Sequence, residues 1–345
     1  MRFIKAWLAV VLWLPAVQGA AISGEGTTAA TFLKIGVGPR AVAMGEAYAG
    51  IADEPSAVYW NPAGISQIST PAFTAMHAFW LESTTFEHLA GTLPLPVGVG
   101  GVSLVYLNAG ELLRSEEGDT PDSPARGTFS ANNLALSAAY AYPYDAQLSL
   151  GAAVKLFSET IDSQVAVGWG ADLSFLYRLP WPAWKLGGVV QNLGPATRLQ
   201  DNYARLPINF KAGVSWQALP RLLLALDYNQ LLEQYGKINF GAEYVFEKIL
   251  ALRAGYHYQG AVDNFEYYDN YGTNTVSGVT AGAGVFYGEF HLDYAFVPYG
   301  LLGATHRIAL TYTLPRAAAA ASPVVAPRST AIPTVALTAT VASPP

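Results

Sequence analysis

Between residues 71 and 314 the chain alternates apolar and polar positions in one segment after another. Along residues 148–156, the even-numbered positions are apolar and include Leu150, Val154 and Leu156, whereas the odd-numbered positions include Ser149 and Lys155. A period of two is the pattern of a β-strand with one apolar and one polar face. The sequence therefore predicts a chain made mainly of strands, with the same alternation at residues 134–142, 171–178, 208–216, 238–246, 291–296 and 307–314.

The lengths of the connections distinguish two ways of arranging these strands. A soluble β-sandwich would show the same alternation, but it has no reason to sort its loops by parity. A transmembrane barrel has short turns at one end and long loops at the other. We therefore predict an all-β fold, a transmembrane antiparallel β-barrel of about 14 strands over residues 71–314. Its predicted short turns lie at residues 95–96, 143–145, 180–182, 218–220, 247–248 and 287–288, and its long connections at 108–126, 191–206 and 259–275.

The amino terminus carries the pattern of a secretory signal peptide. Arg2 and Lys5 precede an apolar run at residues 6–17, which is too short to span a bilayer as a helix. A buried amino-terminal helix is the alternative interpretation. We predict that residues 1–19 are the signal peptide, and that the exported chain enters the cell outer membrane through the barrel-assembly machinery.

The composition excludes several other classes of protein. Of the 345 residues, 52% are hydrophobic and only 13% are charged, and there is no cysteine to form a disulfide or a thiolate metal site. The net charge of −6 gives no basic field for nucleic acid. A barrel needs only every second residue of each strand to be apolar, so outer-membrane lipid is the expected surrounding.

Residues 20–70 do not alternate in this way and are predicted to form a separate helical element. Pro39 can open a helix, in which Ala41, Gly45 and Ala49 recur every four residues and leave one side without bulk. Asp53 is a predicted N-cap for a second short helix. After that helix, Pro62 disfavours helical geometry at the residue before it and breaks the chain there.

This segment has two possible places. It can form a helical hairpin on the outside of the fold, or it can fill the lumen of the barrel, which is too wide for the wall side chains to fill. We predict the second arrangement, a hatch at residues 20–70, followed by the barrel at 71–314. Residues 315–345 are rich in Ala, Pro and Thr and are predicted to be a disordered periplasmic tail.

Two stretches of the sequence resemble a known family. FLKIGVGPRAVAMGEAYAG at residues 32–50, continued by ADEPSAVYWNPAGIS at 52–66, is similar to the amino-terminal signature of the PorV/PorQ-type outer-membrane family. HRIAL at residues 306–310 is similar to that family's last strand. The family is related in architecture to the FadL long-chain fatty-acid transporters, which carry a similar hatch with an Asn-Pro-Ala element.

The resemblance implies one of two functions. FadL-like members carry hydrophobic small molecules across the outer membrane, whereas PorV shuttles cargo proteins in type IX secretion. The second function would imply secretion-system components or cargo as partners. The hatch motif that the resemblance marks comprises Tyr59, Trp60, Asn61, Pro62, Ala63 and Gly64. Within it, Gly64 is predicted to allow close approach of the hatch to the wall.

Charged and polar residues on the predicted inner face of the strands are the expected partners of the hatch. Buried charges are costly unless they are paired, so inward charges of both signs predict a paired group that holds the hatch in place. The predicted lumen-facing residues are Lys155, Asp172, Lys211, Asp227, Glu243, Arg253, His291, Asp293 and Arg307.

The sequence gives little indication of catalysis. Gly36 and Gly38 lack the third glycine and distal acid of a dinucleotide-binding loop, and no G-x-S-x-G motif occurs. The five histidines lack metal-ligand spacing, and His291 with Asp293 has no serine nucleophile beside it. We predict that the protein is not an enzyme, with no catalytic residue, metal or other cofactor.

Overall fold

The computed structural model describes residues 26–115, 126–181, 183–199, 202–259 and 278–315, together with residues 118, 120, 123 and 124. The predicted signal peptide lies outside the described residues, as does the predicted tail except residue 315. Among the helices that are described, none is both long and apolar enough to cross a lipid bilayer.

Fourteen antiparallel strands form a closed barrel, as the alternation predicts. Each strand pairs with its neighbours in sequence, and the first strand pairs with the last to close the wall. One connection contains a separate two-stranded sheet, β8–β9, so that β7 pairs with β10. The strands are β1 Ala72–Phe79, β2 Thr85–Pro94, β3 Val99–Leu113, β4 Thr128–Pro143, β5 Leu148–Ile161, β6 Gln164–Arg178, β7 Trp184–Leu193, β8 Thr197–Leu199, β9 Asn202–Ala204, β10 Asn209–Leu219, β11 Leu222–Leu231, β12 Lys237–Phe246, β13 Leu250–Gln259, β14 Val279–Tyr287, β15 Phe290–Pro298 and β16 Ala304–Thr313.

The apolar face of the strands points outward and the polar face points into the barrel. In β5, Val154 and Leu156 are 54% and 60% exposed, whereas Lys155 between them is 2% exposed. Exposed large apolar side chains recur in this way around the wall. This arrangement is the reverse of that in a soluble protein, and it suits a wall whose outer surface contacts lipid.

The connections differ in length between the two ends of the barrel. At the short-turn end, residues 95–98, 144–147, 179–183, 220–221, 247–249 and 288–289 join the strands. At the long-loop end, the turn at Asp162 and Ser163 between β5 and β6 has two residues, and the connections at 80–84, 232–236 and 299–303 have five each. The other three connections at this end, β3–β4, β7–β10 and β13–β14, are much longer.

One of the predicted long connections differs from the structure, and another lies almost wholly outside the described residues. Strand β3 continues to Leu113 past a bulge between Asn108 and Glu111, so the predicted loop at 108–126 begins later. The predicted loop at 259–275 falls outside the described residues, except for residue 259.

The described part of the hatch, residues 26–70, fills the lumen. Near its start, the Ala29 N–H donates to the Arg205 carbonyl at 3.0 Å, and Lys34 pairs with Glu233 at 2.7 Å; both partners belong to the long-loop end. After residue 70, where the hatch ends, the chain enters β1 at the short-turn end. The hatch therefore passes along the lumen from one end to the other. Its helical elements are α1 Pro39–Ala43 and α2 Ala57–Trp60, with 3-10 helices at Thr31–Lys34 and Pro62–Gln67.

The predicted helices of the hatch are wrong in two respects. Helix α1 opens at Pro39, but it ends at Ala43, because Gly45 has a φ of 62° and turns the chain. Ala49 therefore lies outside the helix. The second prediction, that Asp53 caps α2, is also wrong: Ser56 is the N-cap residue, and no side chain caps this helix.

Candidate functional site

The hatch touches the wall of the barrel backbone to backbone at several glycines. Gly151, Gly187 and Gly255 face the lumen, and a Cβ atom on any of them would overlap main-chain atoms of the hatch. At Gly241, a Cβ would lie 2.5 Å from the carbonyl oxygen of Met44. These glycines let the hatch approach the wall more closely than any side chain would permit.

Arg40 of the hatch forms a bidentate ion pair with Glu243 of the wall. Its Nε and Nη2 atoms donate to the two carboxylate oxygens of Glu243, each at 2.8 Å. Its Nη1 atom donates to Asp53 within the hatch at 2.5 Å. Glu243 also pairs with Arg253, which in turn pairs with Asp293, both at 2.6 Å. A buried carboxylate with two guanidinium partners is well compensated, so this chain of charges attaches the hatch to strands β12, β13 and β15.

A further hatch carboxylate, Glu54, lies close to this group. It is 3.7 Å from Arg40 Nη1 and accepts a hydrogen bond from Ser56 Oγ at 2.7 Å. Burial raises the pKa of the Glu54 carboxyl above its usual range, while the charge of Arg40 acts in the opposite direction. Arg40 therefore compensates the charge of carboxylates in both the hatch and the wall.

Asp227 of β11 holds the middle of the hatch. One of its carboxylate oxygens accepts the backbone N–H groups of Tyr48 and Ala49 at 2.8 and 2.7 Å. Hydrogen bonds to a carboxylate are stronger than neutral ones. Next to this point, Ser215 of β10 donates its hydroxyl to the Gly50 carbonyl at 2.8 Å.

Asn61 joins two parts of the hatch and the wall through one side chain. Its Nδ2 donates to the carbonyls of Ala49 at 2.7 Å and Phe175 at 3.1 Å. Its Oδ1 accepts from the N–H of Ala63 at 3.1 Å, which caps the 3-10 helix that begins at Pro62. The Asn-Pro-Ala element therefore joins α2 to the 3-10 helix and anchors this junction to β6.

Gly64, the last residue of the hatch motif, has a different role from the expected one. We expected it to allow close approach to the wall. Instead, a Cβ on Gly64 would overlap Ala52 of the hatch itself. The close approach to the wall occurs at the neighbouring Ala63, which lies against Gly151 of β5.

Tyr59 and Trp60 form the aromatic centre of the hatch. Their rings meet edge to face with centroids 5.0 Å apart. The Tyr59 hydroxyl donates to the Leu33 carbonyl at 3.0 Å, and Trp60 Nε1 donates to the Val37 carbonyl at 2.8 Å. Both aromatic side chains are thus buried with their polar atoms paired.

Two lysines of the wall lie against these rings. Lys211 Nζ is 4.5 Å from the ring centroid of Trp60 and 5.5 Å from that of Tyr59. Lys155 Nζ is 5.8 Å from the Tyr59 centroid and pairs with Asp172 at 2.8 Å. Cation–π contacts of this kind are strongest where the cation is removed from water, as both of these lysines are.

Arg307 and His291 differ in their relation to the hatch. Arg307 of β16 is fully buried; its Nη1 donates to the Gly36 carbonyl, and its guanidinium lies 4.9 Å from the Trp80 ring centroid. His291 is half-buried and packs against Phe286 of the wall, with centroids 4.7 Å apart. Five of the predicted lumen-facing residues contact the hatch directly: Lys155, Lys211, Asp227, Glu243 and Arg307. Asp172, Arg253 and Asp293 pair with other wall residues, and for His291 no hydrogen bond to the hatch is seen in the described residues.

A cavity of about 510 Å³ lies between the hatch and the short-turn end of the barrel. Arg40 and Asp53 contribute the hatch side of its lining. Arg178 and Lys185 line it from the wall, and sequence reasoning did not single out either of them as a site residue. Their position beside the short turn at 179–183 could have indicated that they lie close together. In the structure they face each other across β6 and β7.

No protein-family model matches the sequence, and no curated protein matches it either. Several solved structures are similar in fold. The toluene transporter TodX of P. putida superposes with a TM-score of 0.55 at 15% identity, covering 82% of this chain and 99% of that chain. The monoaromatic hydrocarbon channel CymD gives a TM-score of 0.54 at 14% identity, covering 81% and 98%. A FadL homologue from Pseudomonas aeruginosa gives 0.51 at 12% identity, covering 80% and 98%. At these identities the similarity establishes the fold, which is a FadL-like β-barrel.

Proposed function

We propose that this protein is an outer-membrane channel that carries hydrophobic small molecules, with the hatch as the element that closes it. The observation that carries the proposal is a closed 14-strand barrel whose lumen is filled by its own amino-terminal segment. Such a lumen offers no wide aqueous pore, which distinguishes it from a porin.

The contacts between hatch and wall support a channel that is closed at rest. They include hydrogen bonds and ion pairs, such as those of Arg40 with Glu243 and of Tyr48 and Ala49 with Asp227. Polar contacts can be exchanged for contacts with water or for other polar partners, and rearrangement of the hatch would then open a path. TodX and CymD, which share this fold, are respectively a toluene transporter and a monoaromatic hydrocarbon channel.

The outward apolar face supports the proposed location in the outer membrane. Fractionation on a density gradient, together with a heat-dependent shift in gel mobility, tests this part of the proposal. Recovery of the protein in the soluble periplasmic fraction would contradict it.

Uptake by whole cells tests transport directly. We expect cells that produce the protein to take up labelled toluene or a labelled fatty acid faster than cells with an empty vector. A labelled sugar serves as the hydrophilic control, because its uptake should not change. Equal uptake of the hydrophobic probes, with the protein present in the outer membrane, would refute the proposal.

The secretion role stays a prediction from the sequence resemblance to the PorV/PorQ-type family. It is supported by the stretches at residues 32–66 and 306–310. Neighbouring genes for type IX components, and a loss of secreted cargo on deletion of the gene, would favour it over transport.

A further inference from the structure

The cavity at the short-turn end combines basic side chains with an apolar surface. Its volume of about 510 Å³ is in the range of small-molecule sites. It opens toward the turns at 179–183 and 220–221, and the hatch forms its inner end.

Arg178 and Lys185 place two positive charges side by side in this cavity. They are directly opposite each other in the register of β6 and β7, so their side chains share the lumen face. Like charges in this position destabilise a pair of strands. Lys185 Nζ donates to Gln67 Oε1 at 2.8 Å, which is a neutral partner. For Arg178, no ion pair or side-chain hydrogen bond is found within the described part of the chain.

The two acids that line the cavity compensate this pair only in part: the charge of Asp53 acts on Lys185, but both acids are bound by Arg40. Glu243 accepts hydrogen bonds from Nε and Nη2 of Arg40 and also pairs with Arg253. Asp53 is bound by the third donor of Arg40, Nη1. The carboxylates are thus directed toward Arg40, and the charge of the cavity on the β6–β7 side is positive.

Apolar side chains form part of the remaining lining. Leu179, Leu223 and Val245 contribute them from the turn and from two strands. Ser215, Gln217 and a third wall cation, Arg221, complete the lining beside them. A ligand would find an apolar wall a short distance from two cations.

From this juxtaposition we infer that the cavity is a binding site for an amphipathic anion, with a carboxylate or sulfonate head and a compact apolar body. Arg178 and Lys185 bind the head, and the removal of their mutual repulsion favours occupancy. Leu179, Leu223 and Val245 contact the body. This inference rests on the proposed function and deepens it, because it assigns a site and a charged class of ligand; an uncharged hydrocarbon gains nothing from the two cations.

Binding of 4-butylbenzoate to the purified full-length protein in nanodiscs of zwitterionic lipid tests the inference by calorimetry. We expect the double variant Arg178→Gln/Lys185→Gln to weaken binding by about tenfold or more, because charge-assisted hydrogen bonds are lost. Arg178→Lys should retain most of the affinity. Raising the salt from about 0.05 M to about 0.5 M should weaken binding to the wild type, because the site is partly open to solvent.

The matched control is Arg114→Gln, which removes an exposed cation paired with Asp162 at the opposite end of the barrel. It should bind 4-butylbenzoate like the wild type. Butylbenzene, which has the body without the charge, should partition equally into all variants, and acetate should compete only weakly. Unchanged affinity in the double variant would overturn the inference, as would competition by acetate equal to that by 4-butylbenzoate. Because transport is not measured, failure of this test leaves the proposed channel function intact.

Discussion

Replacing Gly241 with alanine should loosen the hatch without unfolding the barrel. The new methyl group would lie 2.5 Å from the Met44 carbonyl oxygen and 2.9 Å from the Met44 Cβ. Ordinary van der Waals contact begins near 3.4 Å. The hatch backbone must therefore retreat by about 1 Å, since carbon atoms repel strongly inside their optimal separation. Gly45 follows Met44, so its hydrogen bond to Thr280 Oγ1, now 3.0 Å long, would be strained or lost.

The expected free-energy change follows from two opposing terms. Overpacking of this kind costs about 1–3 kcal/mol. Alanine in place of glycine within a strand gains roughly 0.5–1 kcal/mol, because the unfolded chain loses freedom. Gly100 supplies the control: it faces outward, and a Cβ there would lie 3.5 Å from Leu95 Cδ1, an ordinary contact. Gly100→Ala should therefore be neutral or slightly stabilising, so the two variants should differ by about 2 kcal/mol.

Two measurements check this prediction. Denaturant unfolding, followed by heat-modifiable gel mobility, gives the free energy of unfolding of both variants. Single-channel recording in planar bilayers reports how often the hatch leaves the lumen open to ions. We expect Gly241→Ala to conduct ions more often than Gly100→Ala. If the two variants have equal stability and equal conductance, then the close contact at Met44 does not hold the hatch, and the reasoning fails.

Other changes address the remaining attachments of the hatch. Arg40→Leu should cost about 3–5 kcal/mol and raise conductance, because Asp53 and Glu54 lose this cation and Glu243 keeps only Arg253. Arg221→Leu, which removes a surface pair with Glu247, should cost at most about 1 kcal/mol in the same unfolding assay, and a similar cost for both would contradict the role of Arg40. Asn61→Ala should cost about 1–3 kcal/mol and increase access of a large antibiotic, measured as susceptibility, since two backbone carbonyls lose their donor; unchanged stability would exclude this anchor. Deleting residues 32–68 should leave a folded barrel that conducts ions, and a folded but impermeable deletion variant would mean that the lumen is closed by something else.

The strands were predictable from sequence because their signal is local. A lipid-facing wall requires outward apolar residues at every second position. Val154 and Leu156 are two such residues, and their spacing is visible in the sequence. The number of strands and the two unequal ends of the barrel follow from the same alternation and the spacing of its breaks. The bulge at Asn108 and Glu111 was missed, because a polar residue there reads as the end of a strand.

The hatch was less predictable because its conformation depends on the wall. The spacing of Ala41, Gly45 and Ala49 indicated one helix, yet Gly45 turns the chain where it meets the backbone of Phe240 and Tyr256. Small residues at that spacing are compatible with a close backbone contact as well as with a helix. The structure replaces the helical interpretation with this contact.

The partners of the site residues could not be predicted, since they depend on the register of the whole barrel. Arg40 and Glu243 are 203 residues apart in sequence, and nothing local marks them as a pair. The inward charges were predictable as a set, from alternation alone. The cavity with Arg178 and Lys185 needed the register of β6 and β7 in addition.

The position of the hatch has a consequence for how the barrel is assembled. The hatch precedes every strand in the chain, yet it contacts the last ones: Gly36 is bound by Arg307 across 271 residues, and Ala43 by Thr280 across 237. A finished wall with glycines pressed against the hatch backbone leaves no clearance for threading a segment of this size afterwards. The seam between β1 and β16 must then close around a hatch that is already in place. Contacts between residues so distant in sequence form slowly, so the intact chain should insert and fold more slowly than a barrel that has no hatch to enclose.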